Sequence, residues 1–224
     1  MMRLTILRPE PGASASLAMA KELGIEALSV PLFTIEALDW EVPQSAGFDG
    51  VLLTSANAIR FGGHKVRELR GLKAFAVGDA TAQAAREAGF DIAATGAAGV
   101  ERLLGSIEAC QHLVHLCGED RVEVRNTSHE IAQIAVYRAA ELPPPPGIAS
   151  AAFVAVHSPR AARRFAQVAD ELGLNRSRIL IAAISKAAAE AAGSGWREVA
   201  VASSPDDRSL LALAKELCDK PQGS

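Results

Sequence analysis

At 224 residues the chain is long enough for one large or two small domains, each with its own core. Hydrophobic residues make up 49% and aromatic residues only 4%, so the cores must be assembled from Ala, Val, Leu and Ile in tightly spaced helices and strands, an α/β composition. A formal net charge of −3 and a pI near 6.0 provide no global basic field, which argues against nucleic acid or a membrane surface as the main partner. Any anion site must be local.

Short apolar runs alternate with helical patterns along the chain, the signature of βα units and parallel sheet. Residues 4–7 read as the first strand. The helix after Pro11-Gly12 places Leu17, Ala20 and Leu23 on one face before Gly24 stops it, and a second strand follows over 25–30. The stretch 31–38 is extended with no helix behind it and reads as a crossing into another lobe. Strand 51–54, a helix from Ser55, strand 74–77, helix 80–88, strand 91–94, helix 99–108 and strand 112–117 then make a small lobe. A second extended segment, 131–138, leads to four prolines at 143–146, a stiff stretch suited to a connection between domains. The chain ends in strand 152–156, a helix from Ser158, strand 179–183, helix 185–192, strand 198–202 and a helix over 206–218.

Part of this is a repeat. The run Val51-Leu52-Leu53-Thr54-Ser55 into a helix is echoed by Phe153-Val154-Ala155-Val156-His157-Ser158, and Gly78-Asp79-Ala80-Thr81 with its helix to Gly89 by Ala182-Ala183-Ile184-Ser185 with a helix to Gly193. The offset of roughly a hundred residues fits a duplicated domain, since solenoid periods run about 20–50. The N-terminal βαβ is too small to stand alone, so it is expected to complete the C-terminal lobe. The division expected is residues 1–35 with 140–224 as one discontinuous lobe and 38–137 as an inserted second one, with a ligand cleft between them. The competing arrangement is a single doubly wound sheet with a long insertion at the prolines.

Candidate site residues follow from this layout. Helices that start directly after parallel strands point backbone N–H groups and a positive dipole end at the sheet's carboxyl edge, where ligands of open α/β sheets sit. Thr54-Ser55, Asp79-Ala80-Thr81, Ser158 and Ser185 are such starts. Each one singly reads as an ordinary N-cap, and it is their repetition in both lobes that points to substrate binding. Arg8, at the end of the first strand, can fork onto a carboxylate. Gly118 lets the chain turn after its strand so that Arg121 reaches the same edge, and Tyr137, the single tyrosine, lies on a connector. On a strand, His115 and Cys117 share a face and His112 takes the other, so no three ligands converge and core packing is expected. No dinucleotide fingerprint, phosphate loop or nucleophile elbow is present.

The runs T-S-A-N-A at 54–58, V-G-D-A-T-A at 77–82, L-C-G-E-D-R at 116–121, V-Y-R at 136–138, H-S-P-R-A at 157–161 and A-S-S-P-D-D-R-S-L-L at 202–211 resemble uroporphyrinogen-III synthase, in the right order over nearly the whole chain. The resemblance implies two flavodoxin-like lobes with parallel sheets, joined by a two-stranded connector, with the substrate in the cleft. It implies cyclisation of hydroxymethylbilane with loss of water and inversion of ring D through a spiro intermediate, and no metal or organic cofactor. Tyr137 matches the family's V-Y-R tyrosine and is the candidate acid for the leaving hydroxyl. Thr81 matches the threonine of its G-x-x-T-A motif and Ser158 its T-S-P serine, with Ser55 and Arg8 at other positions near the cleft. The sequence departs from the pattern in two places. The second G-x-x-T-A position reads Ala182-Ala183-Ile184-Ser185-Lys186, and the segment between Gly118 and Tyr137 is shorter than the usual strand-helix-strand.

The alternative is a non-catalytic two-lobed binder of a tetrapyrrole or another polycarboxylate. A sensor would be expected to carry an effector domain beyond Ser224, which favours the enzyme. A third reading, a phosphate or nucleotide binder, would need a better phosphate loop than Arg8-Pro9-Glu10-Pro11-Gly12. Three cysteines without staple spacing, together with no leader-like or bilayer-length apolar run, are expected of a soluble cytoplasmic protein, here a monomer.

Overall fold

In the computed structural model the described residues are 2–96, 99–107, 111–120, 124 and 127–219. The chain divides into two compact units, residues 1–34 with 141–224, and residues 35–140.

The first unit is a five-stranded sheet with β1 (Leu4–Ile6), β2 (Ala27–Ser29), β9 (Phe153–Val156), β10 (Leu180–Ala183) and β11 (Glu198–Val201). All its neighbours are parallel, in the order β2-β1-β9-β10-β11. Counted in chain order within the unit this is 2-1-3-4-5, the flavodoxin arrangement. The connections are α1 (Gly12–Glu22), α5 (Pro159–Glu171) and α6 (Lys186–Ala192), and α7 (Asp207–Asp219) follows β11. β9 and β10 are buried at every position, so they read as unbroken apolar runs with no polar face.

The second unit holds β3 (Phe33–Ala37), β4 (Gly50–Leu53), β5 (Lys73–Val77), β6 (Asp91–Gly96), β7 (His112–Gly118) and β8 (Glu130–Glu141) in the order β3-β8-β7-β4-β5-β6. Its helices are α2 (Ala56–Phe61), α3 (Asp79–Glu87) and α4 (Val100–Gly105). From β8 to β6 the ladder is parallel. β3 runs against β8, as the bonds from Leu38 N to Val136 O and from Leu142 N to Leu32 O require. β3 and β8 are also the two strands in which the chain crosses from one unit to the other.

The repeat in the sequence has a topological counterpart. Superposing β4, β5 and β6 on β9, β10 and β11 puts β7 on β1 and β8 on β2, so the five parallel strands have the same spatial order in both sheets; the chain enters them at different points, and β3 is an added edge strand of the second sheet. Alternation then sorts side chains to the two faces of the second sheet. Val51 and Leu53 pack with Ala74, Val114 and Leu116 on one side, and Leu52 packs with Phe75, Leu103 and Leu113 on the other. In the first unit Leu4, Ile6, Phe153, Ala155, Leu180 and Ala182 meet α7 through Leu210, Leu211, Ala214 and Leu217. Alanines supply much of the helix surface, which lets helices lie close on sheets that carry few aromatic rings.

Candidate active site

Tyr137 lies on β8 beside the end of β7. The register slips between Cys117 and Gly118, so that Gly118 rather than Glu119 faces Tyr137. A Cβ at Gly118 would sit 2.9 Å from Tyr137 Cε2 and Cζ and 3.1 Å from its hydroxyl oxygen. Only glycine leaves room for the ring here. Glu119 N donates to Tyr137 O at 2.9 Å, fixing the backbone around the ring, and Phe61 of α2 flanks it at 6.5 Å between centroids. The phenol makes no hydrogen bond among the described residues, and the side chain is half-buried.

Thr54 and Ser55 directly follow β4, the neighbour of β7. Thr54 Oγ1 lies 2.9 Å from His115 Nε2, and that histidine, on β7, is 1% exposed. Ser55 is the extended N-cap of α2, and its Oγ accepts from Asn57 N at 3.2 Å. Thr81 is not a cap. Gly78, at φ +83°, occupies the cap position of α3, and Thr81 sits inside the first turn at 5% exposure. Its amide is bonded to Gly78 O at 3.1 Å. Cys117 is buried, with its thiol toward Ile134 O at 3.4 Å. His112 packs against Phe48 in a tilted pair, 4.4 Å between ring centroids. Arg121 lies outside the described residues.

In the first unit Ser158 caps α5 by accepting from Ala161 N at 3.1 Å, and Ser185 caps α6 by accepting from Ala188 N at 3.3 Å. Both hydroxyls thus spend one lone pair on the helix and keep their proton for another acceptor. Arg8, two residues beyond β1, is held in a polar cluster that the sequence reading missed. Its Nη1 donates to Ser16 Oγ at 3.2 Å and lies 3.4 Å from Asp207 Oδ2. Ser16 Oγ in turn donates to Asp207 Oδ2 at 2.7 Å, and His157 Nε2 meets Asp207 Oδ1 at 2.9 Å. Asp206 caps α7 through Ser209, which fixes Asp207 as the first residue of that helix. Burial alone would push the Asp207 carboxyl up, but the hydrogen bonds from His157 and Ser16, then the charges of His157 and Arg8, bring it below the usual carboxylate range. An ionised Asp207 accepts only, so the His157 proton is on Nε2. Its Nδ1 is buried with no partner among the described residues. One sequence signal pointed here: Ser16 falls in the buried stripe Ala13-Ser16-Ala20 of α1, and a hydroxyl in an apolar stripe needs a partner.

Among the described residues no group of three or more His, Cys, Asp and Glu is placed to hold a metal ion, and no helix is long and apolar enough to cross a membrane.

Known proteins were compared with this chain by sequence and by structure. A family profile described as uroporphyrinogen-III synthase HemD matches residues 15–212. A search of curated proteins by sequence finds no match. Among solved structures, uroporphyrinogen-III synthetase from Helicobacter pylori superposes with a TM-score of 0.64 at 16% identity, covering 97% of this chain and 100% of that one. A mutant uroporphyrinogen III synthase from the extremely thermophilic bacterium Thermus thermophilus gives 0.55 at 18% identity, covering 99% and 100%. At such identities the superpositions speak for the fold, and the profile speaks for the family.

Proposed function

This chain belongs to the uroporphyrinogen-III synthase family and is a lyase of tetrapyrrole biosynthesis, and we propose that Tyr137 is the acid of its reaction. The substrate, hydroxymethylbilane, must lose water at its hydroxymethyl carbon and close through the substituted carbon of ring D, giving a spiro intermediate that reopens with the ring inverted. Left to itself the activated bilane closes without inversion, so the protein's work is to hold one conformation and to protonate one leaving hydroxyl. When the C–O bond breaks, its electron pair goes to the departing oxygen, which takes the phenol's proton and leaves as water.

The observation that carries this reading is the phenol's freedom. Its ring is fixed over Gly118, yet no described residue takes its hydrogen bond, so the hydroxyl oxygen is positioned and its proton available. The substrate carries eight carboxylates. The reading assigns Thr54, Ser55, Thr81, Gly118 and Arg121 of one unit, and Arg8, Ser158 and Ser185 of the other, to contacts with them. Hydroxyl and amide donors suit such a substrate in a protein with no overall positive field, because they bind anions without adding charge. In the same reading the protein is a cytoplasmic monomer that takes a small-molecule substrate and no nucleic acid. A non-catalytic tetrapyrrole binder would not need an unpartnered phenol.

The test is to give the purified protein fresh hydroxymethylbilane, oxidise the products and separate the type I and type III uroporphyrins. Type III in excess is expected without added cofactor. Type I alone, from a protein shown to be folded, would sink the activity.

A further inference from the structure

We propose that Asp207, Ser16 and the bare Cα of Gly12 are positioning residues that hold the Arg8 guanidinium ready for one acetate or propionate carboxylate of the substrate, an inference that rests on the assignment of Arg8 above. Three independent observations meet at this point.

The first is topological. In the order β2-β1-β9-β10-β11 the chain leaves β1 toward one edge of the sheet and β9 toward the other, so β1 and β9 flank the switch point. Ligands of open parallel sheets sit beyond the carboxyl ends of the strands at such a point. Arg8 follows β1 and His157 follows β9.

The second is the shape of the cradle. A Cβ at Gly12 would lie 2.4 Å from Arg8 Nε and 2.7 Å from both Cζ and Nη2. The guanidinium therefore lies flat on the first turn of α1, in space that any other residue would fill. Gly12 is not there for a left-handed backbone, since its φ is not in that region. It is there for room.

The third is how the charges are arranged. Both Asp207 oxygens are engaged: His157 occupies Oδ1, and Ser16 and Arg8 share Oδ2. Its side chain is 19% exposed against 33% for Arg8, so the cation is the more accessible end of the pair. A carboxylate already bonded to His157 and Ser16 competes less for the guanidinium's remaining N–H groups. What it does is order a long side chain that would otherwise have to be ordered at every binding event. His157, 6% exposed at its side chain, braces Asp207 from the neighbouring strand end. A tie that served only to join α1 to α7 would need neither the guanidinium nor the empty face of Gly12.

Steady-state kinetics of type III formation from hydroxymethylbilane would be measured for the wild type, Arg8→Gln, Gly12→Ala and Asp207→Asn, and for each of the last two combined with Arg8→Gln. Gly12→Ala is the variant least able to harm folding, because its methyl meets the free end of a flexible side chain. Arg8→Gln is expected to raise KM about tenfold with kcat nearly unchanged, the pattern of a lost binding contact. Gly12→Ala and Asp207→Asn should each raise KM several-fold, and neither should raise it further once Arg8 is Gln. The proposal is overturned if the two variants leave KM at its wild-type value, or if their effects multiply with that of Arg8→Gln. If Arg8→Gln itself leaves KM unchanged in a protein that makes type III, the assignment of Arg8 falls. If the wild type makes only type I, the activity falls first.

Discussion

Tyr137 offers chemistry through one atom, and the geometry around it predicts how two substitutions should differ. Tyr137→Phe removes a hydroxyl that no described residue uses, so the melting temperature should stay within error while kcat falls by about 100-fold, the lower range for a lost general acid. Unchanged turnover at saturating substrate would leave solvent as the proton source. Gly118→Ala keeps the phenol but forces the ring off a Cβ 2.9 Å away. Its cost should be about 1–3 kcal/mol in urea unfolding, as for other overpacked contacts, with kcat lowered as the phenol moves. Asp207 carries a pH dependence whose sign is fixed by its lowered pKa. A carboxyl lowered in the folded state contributes stability above its unfolded pKa of about 3.9, and that contribution fades as pH falls through the folded value. Asp207→Asn should therefore melt below the wild type at pH 7, with the gap narrowing below about pH 4. A constant gap in thermal melts across that range would remove Asp207's charge from the account. These residues were unequally legible in the sequence. Tyr137 and Gly118 stood in recognisable runs, but their contact depends on a register slip in the ladder, which no spacing rule encodes. Asp207 and Ser16 are 191 positions apart, and only the sheet order brings them together.

Strand and helix positions were largely readable, because parallel strands buried on both faces leave unbroken apolar runs and the chain places hydroxyls at helix starts. Ser158 before α5 and Ser185 before α6 are both N-caps, as their residue type implies. The 3₁₀ turns at His64–Leu69 and Arg176–Arg178 left no periodic signal, being too short to show one. The second of these turns carries an anchor that composition could not reveal. Arg176 forks onto Asp170 at 3.1 and 2.8 Å, donates to Ala166 O at 3.1 Å and Ser194 O at 3.0 Å, and lies 4.6 Å above the Trp196 ring. Trp196 in turn stacks on Phe165 of α5 at 5.3 Å. The carboxylate partner is 70% exposed and contributes little. The two carbonyl contacts and the ring contact dominate, so Arg176→Ala should destabilise by about 1–3 kcal/mol in urea unfolding. Arg176→Lys should recover only a fraction, because an ammonium cannot reach both carbonyls from over the ring. Full recovery by lysine would mean that charge alone matters there.

At the scale of the whole chain, the same spatial order of strands is reached by two routes, and the routes differ in what they demand of folding. Residues 35–140 are contiguous and contain a complete parallel sheet from β8 to β6, with a packed core on each face. The other unit is split. β1 and β2 come from the first 34 residues, and β1 pairs directly with β9, whose four residues are all buried. A fragment holding only 141–224 would expose β9 as an unpaired apolar edge, the kind of edge that aggregates. The repeat made the duplication visible in the sequence, but only the pairing shows which half is self-sufficient. The 35–140 fragment is therefore expected to be monomeric and to unfold cooperatively in urea. Fragment 141–224 should aggregate or lack a transition until residues 1–34 are supplied, in trans or by a flexible linker. Circular dichroism of the three samples decides the matter. A cooperative transition for 141–224 alone would show that α5, α6 and α7 cover β9 without its partner strand, and that the N-terminal βαβ is an addition to a finished unit.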